Sequence, residues 1–222
     1  MAKLALYLLG QDLRIVDNHV LSYAAEQGYE LLPVFIYDEA KYGAAQKWWL
    51  YNSLQKLQSE YAKIGGAIIF RKGNVIDVVA ELSKQLKLDA ILWHRQYDKK
   101  SITIGKKLKQ QYADIETISF IGNLLLEPWQ VKNGKGEFFK VFTPFWKHIQ
   151  QKIFNEDNIN PLRAAKPKFA QLTLESAKLE SWQMTPNWSA KFAQYWQVGT
   201  AAGWLCLEKF AANKLAGYNE AR

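Results

Sequence analysis

Short apolar runs that alternate with helical patterns constrain the fold of this 222-residue chain more than any other feature. The first run, residues 4–10, is followed at once by a polar turn over residues 11–18. A short apolar run bounded by turn residues is typical of a buried strand, and such strands occupy parallel sheets that helices cover on both faces. We therefore expect the first run to be the central strand of the first half of the chain.

Four more runs of the same kind follow, and helical patterns separate them. Strands are predicted over residues 31–37, 67–71, 89–94 and 115–120, and helices over residues 19–27, 44–64, 75–86 and 99–112. This alternation is typical of βαβ units with right-handed crossovers, and therefore of the α/β class. We predict a Rossmann-like five-stranded parallel sheet of order 3-2-1-4-5 with helices on both faces.

The pattern changes after residue 122. A helix is predicted over residues 141–154, an extended linker over residues 155–187, and a C-terminal helix over residues 196–217. Apolar side chains on that last helix have no following element to cover them, which indicates the front part of a larger protein. We expect three units: an α/β domain (1–130), a helix with an interdomain linker (131–190), and the first helix of a truncated helical domain (191–222).

Composition limits the classes of partner. The net charge of +8 favours a polyanion, although on charge alone an ordinary solvated surface is the preferred explanation. The apolar runs are shorter than the roughly 20 residues of a membrane span, so no membrane partner is expected. A single cysteine, Cys206, excludes an internal disulfide and fits a cytoplasmic protein; its flanking leucines suggest a core position. No cysteine pair or HExxH motif points to a metal, and no glycine-rich phosphate loop follows a strand.

Seven stretches, in order, resemble the DNA photolyase and cryptochrome family. FKVFTPFWK, at residues 139–147, is the most specific of them. The others are DLRIVDN, LLPVFIYD, GAAQKWWLYNSLQKL, RKGNVIDVVAEL, LWHRQYD and the spaced set Trp196, Gly199, Leu207, Phe210, Tyr218 and Arg222. Together they cover essentially the whole chain.

The resemblance implies that the chain is the N-terminal part of a deoxyribodipyrimidine photolyase-like protein. In the family, an α/β domain holds an antenna chromophore in many members, and a helical domain binds FAD and the damaged base pair. Light-driven electron transfer from reduced flavin then splits a pyrimidine dimer that is flipped out of the DNA. Tyr218 matches a flavin-site tyrosine, and Arg222 matches an arginine that faces DNA phosphate. We expect a monomer at full length and no repair by these 222 residues alone, which carry no catalytic residue.

Two departures from the family pattern bear on the antenna. Leu8-Leu9-Gly10 stands where the family usually has Trp-Phe-Arg. Ser101 stands where members with a folate antenna carry a glutamate. These positions favour a deazaflavin, a flavin or no antenna over a folate.

The residues expected near an antenna lie at or just after the ends of strands, at the edge where open α/β sheets bind ligands, or at the start of the long helix. They are Asp12, Arg14, Phe35, Tyr37, Asp38, Lys47 and Asp98. For Asp12 and Arg14 the preferred interpretation is that they pair with each other, or with the linker, and hold the turn; the alternative is that they organise the antenna pocket or the domain interface. Lys47 could meet an anionic tail or only solvent, and Asp98 could bond a ring or only cap the basic helix.

Two other functions remain open at this point. One is a cryptochrome-like blue-light signalling protein, whose output would be partner binding. The other is a stand-alone nucleotide- or flavin-binding α/β module without catalysis.

Overall fold

Each apolar run that predicts a strand forms one in the computed structural model, which describes residues 3–155, 166–182 and 187–218. The strands are β1 (Lys3–Leu9), β2 (Tyr29–Tyr37), β3 (Ile69–Lys72), β4 (Ala90–His94), β5 (Glu116–Phe120) and β6 (Lys168–Phe169). The helices are α1 (His19–Gln27), α2 (Ala44–Lys63), α3 (Val75–Gln85), α4 (Lys99–Gln111), α5 (Phe142–Asn155), α6 (Phe192–Tyr195) and α7 (Thr200–Asn213).

The sheet is parallel and has the order β3-β2-β1-β4-β5, as predicted. The sixth strand was not predicted. β6 pairs with Glu30 and Leu31 of β2, on the same side of β2 as β3, which pairs with residues 34–37. A strand of two residues has no periodicity that a sequence pattern could reveal.

The core has two layers because side chains of a strand point alternately to opposite faces. Ala5, Tyr7 and Leu9 of β1 belong to the cluster that contains buried residues of α1 and α2. Leu6 and Leu8 belong to the cluster that contains buried residues of α3 and α4. The central strand is therefore covered on both faces, which explains its uninterrupted apolar sequence.

The linker residues 166–182 cover the β3 edge of the sheet. Ala177 donates its N–H to the carbonyl of Phe70 at 2.8 Å, and Phe70 donates its N–H to the hydroxyl of Ser176 at 3.0 Å. The Trp182 ring is buried and stacks on Tyr37 with 4.8 Å between ring centroids. These contacts close an edge that would otherwise present unpaired backbone groups.

The end of the chain differs from the prediction. The last helix, α7, begins at Thr200 rather than at residue 196, because Gly199 has a φ of +107° that a helix cannot contain. Trp204 and Leu207 of α7 are exposed, and so is Cys206, so the core position expected for this cysteine was wrong.

Two further observations concern only the described residues. None of their helices is long and apolar enough to cross a membrane. Within the same ranges, no three His, Cys, Asp or Glu side chains form a group that could hold a metal ion.

Candidate functional site

A crevice opens at the carboxyl ends of β1, β2 and β4. The strand order reverses at this point, because β2 and β3 lie on one side of β1 whereas β4 and β5 lie on the other. Sheets of this kind bind ligands at such a switch point. The walls are largely apolar and include Leu8, Leu9, Val34, Phe35, Trp93, Ile104 and Leu108. The cavity inside them has a volume of about 140 Å³.

Charged groups line the mouth of this crevice. Asp38 accepts a hydrogen bond from Lys100 Nζ at 2.6 Å. Asp98 caps α4 by accepting the N–H of Ser101 at 3.0 Å, as one of its two predicted roles required. The hydrogen bonds from Ser101 lower the pKa of the Asp98 carboxyl below its usual value. Of the predicted residues, Phe35, Asp38 and Asp98 therefore line the crevice.

Asp12 instead points into a buried polar network beneath the crevice. Its carboxylate pairs with His94 Nδ1 and accepts a hydrogen bond from Tyr7 Oη at 3.1 Å. Asn18 donates to the same Tyr7 oxygen at 3.0 Å and caps α1 by accepting the N–H of Leu21. Burial raises the pKa of Asp12, but the hydrogen bond and charge of His94 outweigh it and leave the pKa below its ordinary value. The Asp12 carboxylate is therefore held by a buried network, and Asp12 and Arg14 also line a cavity of about 490 Å³ against α7.

Arg14 holds the turn after β1 against the segment after β5. Its Nε donates to the carbonyl of Asp17 at 3.0 Å, and its Nη2 donates to the carbonyl of Gly122 at 2.9 Å. The expected Asp12–Arg14 pair is not among the ion pairs found, because Asp12 is engaged by His94. Neither residue lines the crevice.

Two other predicted residues also lie outside the crevice lining. Lys47 forms an ion pair with Glu39 at 3.7 Å. Tyr37 is buried and stacks on the Tyr42 ring, with 6.0 Å between centroids and an interplanar angle of 2°. A ligand role for these residues remains a prediction.

Several crevice residues were missed from the sequence. Gln96 and His94, at the end of β4, line the crevice, and each has a buried side-chain nitrogen, Nε2, without a hydrogen-bond partner. Tyr42, just before α2, and Lys100, at the start of α4, line it as well. The sequence signal that could have identified Gln96 as a crevice residue was its position just beyond a central strand. A Cβ atom at Gly10 would lie 3.1 Å from Asp12 Oδ1 and 3.2 Å from Gln96 Nε2, so a larger residue here would require these side chains to shift by a few tenths of an ångström.

The enclosed part of the crevice, about 140 Å³, is close in size to an engineered apolar cavity of about 150 Å³ that holds a single benzene ring. The crevice is open at its mouth, beside Asp38, Asp98 and Lys100. Tyr218, the predicted flavin-site residue, is half-exposed and packs edge-on against the Phe210 ring. Arg222, the predicted DNA contact, lies outside the described residues.

Comparison with known proteins identifies similar chains. The sequence model described as DNA photolyase matches residues 5–167. A deoxyribodipyrimidine photo-lyase of Agrobacterium fabrum is 31% identical over 220 residues, which are 96% of this chain and 45% of that protein. Cryptochrome-2 of Arabidopsis thaliana is 25% identical over 98% of this chain and 38% of its own length.

A solved photolyase structure is also similar to this chain. The bacterial class III photolyase from Agrobacterium tumefaciens superimposes with a TM-score of 0.91 at 30% identity, over 100% of this chain and 47% of that one. The present chain therefore spans less than half the length of these relatives.

Proposed function

The chain belongs to the DNA photolyase family, and we propose that it is the N-terminal part of a flavoprotein that uses light to repair pyrimidine dimers in DNA. The observation that carries this proposal is similarity along the whole chain to a deoxyribodipyrimidine photo-lyase, together with the superposition of the whole chain on a class III photolyase. That relative is named a deoxyribodipyrimidine photo-lyase, and the reaction that we propose for the longer protein is that of a carbon–carbon lyase acting on DNA.

The chemistry belongs to the longer protein. FAD supplies the electron for dimer splitting when it is bound, and the described residues contain only Tyr218 of the expected flavin contacts. The role of this part is to provide the rigid α/β body on which the helical domain begins at α7. The 222-residue chain alone is therefore inactive in repair.

DNA containing pyrimidine dimers is the proposed partner of the full-length protein. The net charge of +8 supports weak binding of DNA by this part, with a strong dependence on salt because only phosphate contacts contribute. The single cysteine supports a cytoplasmic location, and we propose a monomer at full length.

The sheet-edge crevice is the first candidate for an antenna. Ser101 lines it where folate-binding members carry a glutamate, which disfavours a folate there. We propose a deazaflavin, a flavin or no antenna in preference to a folate.

The test is dimer splitting under blue light by the full-length protein loaded with FAD, with a dark sample as control. A photolyase returns a cyclobutane-dimer oligonucleotide to its monomeric bases only in the light. Light-dependent partner binding with intact flavin and no repair would instead establish the cryptochrome-like function. A chain that binds a chromophore alone and has no longer form would establish the stand-alone module.

A further inference from the structure

We propose that the outer side of α4 is a separate DNA-contact surface, which binds the phosphate backbone of a duplex without regard to sequence or damage. The helix carries five lysines and no acidic residue among its 13 residues. Exposed polar positions recur along its outer side at helical spacing. They form the basic α4 face, which consists of Lys99, Thr103, Lys106, Lys107 and Gln110.

The opposite side of α4 fixes the helix to the sheet. Leu108 is buried, and Ile104 packs against the same core cluster, which also contains Leu6 and Leu8 of β1. The apolar positions of α4 therefore face the core, and its lysines are held in solvent on a packed element rather than on a free loop.

Most of the α4 lysines have no neutralising partner among the residues that the structure describes. Lys100 pairs with Asp38 at 2.6 Å. Lys99, Lys106 and Lys107 take part in none of the ion pairs found within the described ranges. Their positive charge is therefore available to an anionic partner.

A hollow between α3 and α4 continues the basic α4 face. Its described lining includes Lys99, Lys100 and Lys107 against one carboxylate, Asp77. Asn74 also lines it and caps α3 through its side-chain oxygen, which accepts the N–H of Ile76 at 2.8 Å. The amide NH₂ group of Asn74 can therefore donate to a phosphate oxygen, as asparagine side chains do in DNA complexes.

The lysines stand at positions that disfavour the isolated helix. Lys99 and Lys100 occupy the first turn, at the positive end of the helix dipole, which favours anions. Lys106 and Lys109 are three residues apart on the helix surface, where like charges repel. Packing explains neither choice, because all four side chains are exposed. A bound polyanion would relieve both effects.

The basic α4 face lies on the opposite side of the sheet from the start of the helical domain. α4 packs in one core cluster, whereas α2 packs in the other cluster, across β1. α7 lies beside α2, because Trp49 and Lys56 of α2 line a cavity together with Trp204 of α7. The basic α4 face is therefore distinct from the surface on which the helical domain begins.

Duplex DNA is the partner that this chemistry favours. The five residues of the face include no aromatic ring, whereas proteins that bind single strands add stacking rings to their basic grooves. Lys99 and Lys107 are eight residues apart, or about 12 Å along the helix, and a duplex presents roughly seven phosphate charges over that distance. The choice of DNA over another polyanion rests on the proposed function, whereas the charged face rests on geometry.

The experiment measures the fluorescence anisotropy of a labelled, undamaged duplex of about 20 base pairs with the 222-residue chain, between about 50 and 200 mM salt. The test variant replaces three lysines of the basic α4 face: Lys99→Gln, Lys106→Gln and Lys107→Gln. The control variant removes the same charge from an exposed segment beyond β5: Lys132→Gln, Lys135→Gln and Lys140→Gln. Thermal unfolding of both variants verifies the fold.

The test variant should bind at least about tenfold more weakly at about 50 mM salt. Its slope of log affinity against log salt should be shallower by about 3, because each lysine that contacts a phosphate contributes about 1. The control variant should bind within about threefold of the parent chain, since charges away from the contact are screened. A duplex that contains a pyrimidine dimer should bind the parent chain no more tightly than the undamaged one.

Equal losses in the two variants would show that net charge alone attracts DNA, and would overturn the inference. Absence of binding by the parent chain at about 50 mM salt would overturn it too, and so would tighter binding of the single strand or of the damaged duplex. The proposed repair function is tested separately, by light-dependent dimer splitting with the full-length protein, so failure of one does not entail failure of the other.

Discussion

Asp12→Asn distinguishes a structural from a ligand-binding role for the turn after β1. The side chains of Asp12 and His94 are both fully buried, and the carboxylate is the shared acceptor for His94 and Tyr7. Removing one partner of a buried ion pair typically costs about 3–5 kcal/mol of unfolding free energy. For a chain of this size, about 2–4 °C per kcal/mol gives a melting temperature lower by roughly 6–20 °C.

The assay is thermal and urea unfolding at pH 7, with Asp17→Asn as the control. Asp17 lies in the same turn but is half-exposed, and its ion pair with Arg14 spans 3.9 Å, so the control should lose no more than about 1 kcal/mol. A stability loss below that level for Asp12→Asn, together with weaker chromophore binding, would refute the structural role.

The pH dependence supplies an independent check on Asp12. Because the folded-state pKa of this carboxyl is lowered, its contribution to stability is present above the unfolded-state pKa of about 3.9. The contribution is lost as the pH falls further, through the lower folded-state pKa. The stability difference between the parent and Asp12→Asn should therefore narrow below about pH 4.

Two further changes test the linker and the base of the sheet. Gly66→Ala should loosen the linker and speed its proteolysis, because the new Cβ would lie 2.9 Å from the Phe169 ring. The control, Gly134→Ala, should leave the rate of proteolysis unchanged, because its new Cβ would have no atom within 4 Å. Burial and the Glu116 carboxylate raise the pKa of Tyr23 to about 12, so stability should fall as the pH rises from 10 toward 12. Glu116→Gln should lower that pKa in a spectrophotometric titration; an unchanged pKa would show that burial alone raises it.

The order of the sheet was predictable because each central strand is an apolar run between turn signals. β1 shows why: its alternate side chains enter two different cores, so nearly every position is apolar. β6 was not predictable, because Lys168 and Phe169 gain their strand character only from pairing with β2.

The candidate site was predictable only in its location. Topology placed Asp12 at the ligand edge, but its partner His94 is distant in sequence, and only the folded chain shows that the carboxylate turns inward. The contact between the Trp49 and Trp196 rings poses the same problem, because these residues meet only after the linker has crossed the sheet edge. Contacts of this range leave no periodicity in a single sequence.

The most direct test of the central claim is to sequence the natural transcript past Arg222. The relatives extend well beyond the matched region, since this chain covers 45% of one and 47% of another. The account predicts an open frame that continues for at least as many residues again, with helical periodicity and a protein that binds FAD. A stop codon directly after Arg222 would contradict it, because a chain of this length lacks the flavin site that repair requires.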